Sequence, residues 1–362
     1  MNVIFYNKSF EKLYTTDMIE SIIITAKYQD TFEFELYLPA SSWFLKHDIK
    51  LGNYIKIQEF YFDVDFINTN QCFFIVRKIE YEYSNEKGLY LILQGEGLTS
   101  LLKQRIIYPT LNLNSTIINN IQSIFNDFLI GNNFSIELYM LTQITSSPSL
   151  KRQVTWDSYY EAIKSFCEYA NFGFCIVVSE SETYVDDNLY YLYIYEGKDH
   201  SLDQTENEHI VFSIEKGNVI SFKQSKDNYD FYNGVVVAGT GEGPNRRVQI
   251  VINDSAAFDM TEDAFFGYLN DSQIDLVDPD DDLAEGFALS GDGETFLAEH
   301  KLKDVIEVEI DPNSIELYKL NLGDIVSVVD FFHNTHKARV SEIAYKWDNS
   351  GYLKQPKFDF ID

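Results

Sequence analysis

One strand pattern occurs twice in this chain, at residues 51–91 and again at residues 322–353. Each copy opens with Leu-Gly and a polar residue, Asn53 in the first copy and Asp324 in the second. A short apolar strand follows, then a second strand that ends in Ile-x-Tyr-x-aromatic, and then a turn into a third strand. A fixed order of elements repeated at a distance predicts a duplicated β-domain, which is more typical of an assembly component than of a catalyst. The alternative is a chance similarity between two three-stranded meanders, since the loop lengths of the two copies differ.

The composition favours a β-rich fold with real hydrophobic cores. The chain has 362 residues, of which 45% are hydrophobic, so two or three folded domains are expected and disorder is excluded. Its 28 Phe and 25 Tyr are residues that prefer strands. We therefore expect a β-rich α+β protein.

The formal net charge of -29 constrains the partners of the chain. A surface this acidic repels phosphate backbones and anionic lipids, which argues against specific nucleic-acid binding and membrane binding. The same charge would suit the wall of a channel past which DNA slides without sticking, although it also serves solubility alone.

The sequence shows neither a secretion signal nor a membrane span. The N-terminus lacks a basic segment followed by an apolar core, and apolar runs such as 172–178 are far shorter than the roughly 20 residues that cross a bilayer. We expect a soluble protein that is made in the cytoplasm and does not insert into membranes.

Four regions follow from the strand, helix and turn signals. Residues 1–110 read as strands of a small barrel, and residues 111–205 as a helical layer on a small sheet, with helices near 115–131 and 158–170. A second, discontinuous barrel is expected at residues 206–254 and 303–362. It is interrupted by an acidic insertion at 255–302, with short helices at about 261–269 and 292–301 and a loop at 271–286.

The glycine-rich segment Gly239-x-Gly241-x-Gly243 resembles a phosphate-binding loop only superficially. Phosphate loops open a helix, whereas a β-branched strand follows here, so a turn between two strands is the better interpretation. The adjacent Arg246 and Arg247 are expected to pair with carboxylates.

Two clusters have the residue types of metal ligands. The carboxylates of 271–285 lack the spacing of a calcium loop, which favours a solvated acidic loop, with a structural cation as the alternative. His333 and His336, with Asp330 nearby, lie at an expected turn and have no evident further ligand.

The chain carries no recognisable catalytic constellation. The three cysteines Cys72, Cys167 and Cys175 fit no metal motif, and the last two read as small core residues. Hydrolase motifs with a nucleophilic serine or a zinc-binding His pair are absent from the sequence. We predict no enzymatic activity and no catalytic, cofactor-binding or metal-binding residues.

Three segments in order resemble the tail hub proteins of phages, also called tail-associated or baseplate hub proteins. Residues 94–107 resemble the Gly-x-x-Leu-x-x-Leu-Leu-x-x-Arg segment that closes their first barrel, and residues 238–247 their Gly-x-Gly-Glu-Gly-x-x-Arg segment. Residues 322–347 resemble their Gly-Asp-x-Val strand and the strand after it. Residues 255–300 match least.

The resemblance implies a homotrimer. Each chain would contribute two tail-tube-like barrels to a pseudo-hexameric ring that forms a channel and adapts a six-fold tail tube to a three-fold tip. The expected partners are the tail tube or distal tail protein, a tip spike or fibre protein, and the tape-measure protein. Since the chain ends at Asp362, just after its last strand, a spike or enzyme would be a separate protein. The expected location is the tail of a virion, or of a related contractile particle such as a bacteriocin, assembled in the bacterial cytoplasm.

Two other functions stay open at this stage. The first is a tail-tip protein that binds a carbohydrate receptor through exposed aromatic side chains, and the second, more distant one is a cell-wall hydrolase.

Overall fold

The chain folds mainly into strands, which make up 48% of it against 18% for helices. This confirms the β-rich expectation. The computed structural model describes residues 1–39, 49–61, 70–85, 88–130, 138–179, 189–239, 241, 243–270, 282–330 and 332–361.

The N-terminal region supplies the first seven strands. They are β1 (Val3–Tyr6), β2 (Lys12–Thr16), β3 (Ser21–Lys27), β4 (Glu33–Pro39), β5 (Tyr54–Tyr61), β6 (Asn70–Ser84) and β7 (Gly88–Gly97). In β3, β-branched side chains alternate between the core and the opposite face, so Ile22 and Ile24 are buried while their neighbours are half-buried. The sequence also predicts one helical turn at about residues 41–46, and these lie outside the described residues.

A mixed layer follows the first strands, as the sequence predicts. A 3-10 helix (Leu98–Gln104) leads into β8 (Leu111–Thr116), α1 (Ile117–Leu129), β9 (Leu138–Thr142), β10 (Ser149–Val154), α2 (Tyr159–Ala170), β11 (Gly173–Ser179) and β12 (Leu189–Tyr195). Ser158 caps α2 by accepting a hydrogen bond from the backbone N–H of Glu161 at 3.0 Å. Asn171, in the left-handed region, ends the helix after Ala170, close to the bound that the sequence predicts.

The C-terminal half returns to strands. It contains β13 (Val211–Phe212), β14 (Val219–Asp227), β15 (Gly234–Ala238), β16 (Val248–Ile252), α3 (Ser255–Phe258), β17 (Phe266–Asn270), α4 (Asp282–Glu299), β18 (Lys303–Ile310), α5 (Ile315–Lys319), β19 (Ile325–Val329), β20 (Thr335–Asp348) and β21 (Gly351–Phe360).

Two sets of six strands have the same neighbour order. Strand unit 1 runs β3-β4-β7-β6-β5-β1, and strand unit 2 runs β14-β18-β21-β20-β19-β13. The units differ at the last strand, because β1 lies antiparallel to β5 whereas β13 lies parallel to β19. The two sequence copies of the meander are therefore equivalent in the structure: β5-β6-β7 and β19-β20-β21.

The units are joined edge to edge by β20 and β3. Seven residue pairs run from Glu342 opposite Lys27 to Asp348 opposite Ser21. The joint helps to make one 16-stranded sheet, and a single hydrophobic core cluster contains buried residues of both units, among them Leu36 and Val340. The sequence predicts two tube-like barrels. The described strands of both units share one sheet, and no described pairing closes either unit on itself, so the barrels are not confirmed.

The acidic insertion differs from its sequence prediction. The sequence predicts a helix at about 261–269, but the helix lies earlier, in α3, and residues 266–270 form β17. Strand β17 pairs with β15, which also pairs with β16, in a separate three-stranded sheet. Residues 289 and 297 of α4, which is longer than predicted, pack on this sheet. Strand pairing and burial thus override the local helical signal.

Candidate functional surface

The turns that open the two meanders have the same geometry. Gly52 and Gly323 both lie at positive φ, +84° and +90°, where a side chain is strained. The backbone N–H of Gly52 donates to the carbonyl oxygen of Val76 at 2.8 Å, and that of Gly323 donates to Val340 at 2.9 Å. The repeated Leu-Gly-polar motif is therefore a structural turn.

The polar residue of each motif closes its own turn. Asn53 Oδ1 accepts from the backbone N–H of Lys50 at 2.7 Å, and Asp324 Oδ2 accepts from that of Asn321 at 2.8 Å. Asp324 Oδ1 also accepts from the N–H of Lys198 at 2.9 Å. Burial raises the pKa of Asp324 above its ordinary value, although these hydrogen bonds and the nearby His200 act in the opposite direction.

The central strand of each meander carries an irregularity at the same place. The register of β6 against β7 shifts between Val76 and Lys78, and that of β20 against β21 shifts between Val340 and Glu342. Such a bulge bends a strand and increases its twist. Together with the turns, it fixes a residue-by-residue equivalence in which β6 residues 78–84 correspond to β20 residues 342–348.

Over the two strand units, the face of the sheet opposite the shared core is polar. On β3, β4, β6, β7 and β20 its carboxylates outnumber its cations: they belong to Glu33, Glu35, Glu80, Glu82, Glu96, Glu342 and Asp348, against Lys27, Arg77, Lys78 and Lys346. Strand β21 adds Lys357, which lies opposite Glu342, and Asp359. A shallow depression on this face is lined by side chains of β3, β4, β6 and β7. We call this surface the polar face. On it, acidic side chains of several neighbouring strands lie close together.

The first resembling segment, residues 94–107, connects unit 1 to the helical layer. Glu96 contacts Lys103 Nζ at 2.7 Å and Arg77 Nε at 3.5 Å, and Arg77 donates to Ser100 Oγ at 3.0 Å. Its leucines at 98, 101 and 102 are buried in the core of the helical layer. Gly95 lies so close to Ile75 that a Cβ would come within 1.9 Å of that carbonyl oxygen. The motif is thus an element of packing.

Tyr28 lies where both units and the helical layer meet, and sequence reasoning missed it. Its ring packs so closely on Gly323 and Gly173 that a Cβ on either would approach it within 2.4 Å. Arg339 lies over the ring with its Cζ 5.2 Å from the centroid, and the Tyr28 hydroxyl donates to the carbonyl oxygen of Asn171 at 2.8 Å. Burial raises the pKa of Tyr28 to about 12. No local sequence pattern marks such a residue, because its partners are far away in the chain.

A model of the Siphovirus ReqiPepy6 Gp37-like protein family matches residues 6–358. The chain belongs to this family of phage tail proteins. This confirms the sequence-based recognition of a phage tail protein from motifs that are individually weak.

Solved structures of tail proteins share the fold over nearly the whole chain. The prophage tail protein gp18 from Listeria monocytogenes EGD-e has a TM-score of 0.56 and 9% identity, and the comparison covers 99% of this chain and 94% of that one. The 43 kDa tail protein of prophage MuSo2 from Shewanella oneidensis has a TM-score of 0.56 and 13% identity, with 100% and 98% covered. The tail protein from Neisseria meningitidis MC58 has a TM-score of 0.55 and 12% identity, with 99% and 95% covered. No curated protein sequence matches.

The glycine-rich segment of this tail protein is a turn between β15 and β16, with Gly241 and Gly243 at positive φ. Among the described residues, Arg246 bonds to oxygens other than the carboxylates that the sequence predicts as its partners. Its guanidinium donates to the carbonyl oxygens of Gly239 at 3.0 Å and Ala238 at 3.1 Å, and to the side chain of Asn270. The arginine therefore fastens the turn to β17.

The two histidines at the β19–β20 turn each lie near a carboxylate. His336 Nε2 lies 2.9 Å from Asp330 Oδ2, while His333, in the left-handed region, lies 3.3 Å from Glu215. Burial raises the pKa of Asp330, but hydrogen bonds from His336, Asn334 and two backbone N–H groups outweigh it and hold that pKa well below its usual range. Within the described part of the chain, no three potential metal ligands cluster. Residues 271–281 of the acidic loop lie outside the described residues.

The cysteines of the tail protein are all buried and free. Burial raises the pKa of Cys72 to about 12 and those of Cys167 and Cys175 well above the ordinary value. Thiols in this state are poor nucleophiles, which agrees with the interpretation of Cys167 and Cys175 as core residues. Among the described helices, none combines the length and the apolar character needed to cross a membrane.

Proposed function

We propose that this tail protein is a structural hub at the distal end of the tail, in which three chains form a pseudo-hexameric ring around a channel. The observation that supports it most directly is the presence of two equivalent strand units joined edge to edge in one chain. Three such chains supply six units. A ring of this kind adapts the six-fold tail tube to a three-fold tip, with each unit of the ring forming part of a tube-like barrel wall.

The polar face is the candidate lining of the channel. A surface on which carboxylates outnumber ammonium groups repels the phosphates of passing DNA, so the DNA moves without being bound. The opposite face carries the hydrophobic core that the two units share. The helical layer lies at one end of the sheet, where β11, β12 and β9 extend it beyond β6, and in this proposal it lies on the outside of the ring.

The role is structural and non-enzymatic in this proposal. The proposed neighbours are the tail tube or distal tail protein on one side and a spike or fibre protein on the other, with the tape-measure protein in the channel. Assembly would take place in the cytoplasm of the bacterial host.

The test is the native mass of the purified protein together with negative-stain imaging. A species of three chains with a central hole is the expected result, if necessary after addition of the neighbouring tube protein. A protein that remains a single chain at high concentration and in the presence of that partner contradicts the hub. Binding to a glycan array by such a single chain would support the receptor-binding alternative.

A further inference from the structure

The joint between the two units inside one chain pairs β20 with β3, and each of these strands has an equivalent in the other unit, β6 and β14. Residues 342–348 of β20 pair with β21 on one side and with residues 21–27 of β3 on the other. The equivalent residues 78–84 of β6 pair with β7 on one side, and no described strand lies along their other side.

Strand β14 is the equivalent of β3. Glu35 of β4 and Glu307 of β18 occupy equivalent positions, and they lie opposite Ile23 of β3 and Lys223 of β14. Residues 221–227 therefore correspond to 21–27. Strand β14 ends the sheet, with β18 as its strand neighbour among the described residues.

The difference in exposure between equivalents supports this assignment. Tyr81 and Tyr83 of β6 are 56% and 69% exposed, whereas their equivalents at the internal joint, Tyr345 and Trp347, are partly buried against the core. Alternate residues of β3 are fully buried, but every residue of β14 from 220 to 227 is exposed or half-buried. The two open edges look like the two halves of a joint that the single chain lacks.

We propose that β6 of one chain pairs antiparallel with β14 of the next chain, in the register of the internal joint. Transferring the equivalences one by one places Lys78 opposite Asp227, Glu80 opposite Ser225, Glu82 opposite Lys223 and Tyr83 opposite Phe222.

This register was fixed by backbone pairing alone, and yet it brings complementary side chains together. Lys78 meets the carboxylate of Asp227, and Glu82 meets the ammonium group of Lys223. The internal joint has the same kind of pair at one end, Glu342 opposite Lys27. Opposite charges and aromatic pairs directly across an antiparallel ladder stabilise it, and the pairing also covers edges that would otherwise be templates for aggregation.

The contact is head to tail, since a different surface is used on each chain, and such contacts close into rings when the rotation fits. The inference rests on the proposed hub: three internal joints and three joints between chains alternate around six units.

Disulfide trapping tests the register. The double variant E80C/S225C places two thiols directly opposite each other across the proposed joint, within the reach of a disulfide. The matched control E80C/S221C changes the same residue types, but its second thiol lies four residues further along β14, or roughly 13 Å away. After mild oxidation we expect chain-to-chain disulfides in E80C/S225C, and none in the control or in either single variant, because the native cysteines are buried.

Native mass measured on the same samples separates the possible outcomes. A three-chain species that shows no disulfide at the matched pair, or equal disulfides in the control, overturns the strand pairing and leaves the hub standing. A series of disulfide-linked species that contain more than three chains supports the strand pairing and overturns the closed ring. A single chain under all conditions overturns both.

A charge exchange gives a second, independent test. We expect E82K to weaken association roughly fivefold at each joint, because it faces Lys223, and E82K/K223E to restore it. The control E80K changes the same charge on the same strand face, but it faces Ser225 and is expected to have less effect. Equal effects of E82K and E80K on the dissociation constant, measured by analytical ultracentrifugation, would contradict the register.

Discussion

The two strand units share a backbone and differ in what they bury. Both use a glycine at positive φ, a side chain that closes the turn and a bulge in the central strand. At one core position, however, Leu91 of unit 1 is replaced by Lys354 of unit 2, and both are buried. The comparison shows that pairing and turn geometry are kept between the copies, while core chemistry and edge contacts have diverged.

The largest expected effect is at the joint that holds the units together. Replacing Tyr28 by Ala removes a buried ring between three parts of the molecule, and we expect the free energy of unfolding to fall by about 3–5 kcal/mol. Tyr28→Phe keeps the packing and loses the hydroxyl's hydrogen bonds to the carbonyl oxygens of Asn171, at 2.8 Å, and Tyr195, at 3.4 Å, at a cost of about 1 kcal/mol. Urea denaturation measures both, with Tyr229→Ala, 97% exposed, as the control expected to change little. Equal losses for the Ala and Phe variants would contradict the packing role.

The equivalent glycines should respond unequally to the same substitution. A Cβ at Gly323 meets the Tyr28 ring at 2.3 Å, whereas a Cβ at Gly52 meets the flexible end of Lys8 at 2.7 Å. Gly52→Ala is expected to cost about 1–2 kcal/mol for the positive φ alone. Gly323→Ala adds overpacking of about 1–3 kcal/mol. If thermal or urea unfolding shows that Gly52→Ala loses more stability than Gly323→Ala, the predicted difference between the two glycines is wrong.

Restoring the unit 1 residue at the diverged core position should stabilise the protein at neutral pH. Burial lowers the pKa of Lys354 to about 8, and its Nζ donates to the carbonyl oxygen of Leu320 at 2.5 Å. A depressed pKa means that the folded state disfavours the charged amine, so stability is lowest below pH 8 and rises toward pH 10.5. We expect Lys354→Leu to gain about 1–2 kcal/mol at pH 7, allowing for the lost hydrogen bond.

The pH dependence is the decisive part of that prediction. The advantage of Lys354→Leu over the parent protein should shrink as the pH rises above 8, and it should be visible in urea midpoints at pH 7 and pH 9.5. A constant difference over this range would mean that the amine does not titrate in the folded protein.

The smallest effect is expected at the exposed end of the internal joint. Lys27 Nζ lies 2.7 Å from Glu33, whose side chain is 51% exposed, so solvent screens the pair. Lys27→Met should change the free energy of unfolding by less than about 1 kcal/mol. A larger loss of unfolding free energy, measured by urea denaturation, would show that the charge of Lys27 opposite Glu342 contributes more to stability than the strand pairing around it.

Local patterns in the sequence were enough for the strands and the two main helices. The strand signals of residues 1–110, the helical signals near 115–131 and 158–170 and the repeated Leu-Gly motif each depend on nearby residues, and the structure confirms the elements they predict. The wrong helix prediction at 261–269 and the sheet shared by the two units depend on distant partners, because β15 pairs with β17 and β20 pairs with β3. Tyr28 and the open edges were missed for the same reason, because their roles are defined only once the strand order is known.

The covalent tether between the units has a consequence for how a ring is built. The β20–β3 joint forms within one chain, so dilution does not weaken it, whereas any joint between chains depends on protein concentration. In the proposed ring, each folded chain already holds one joint, so two encounters between chains bring together all six units, whereas six separate units need five encounters. Carrying both units in one chain would thus shorten the assembly of such a ring.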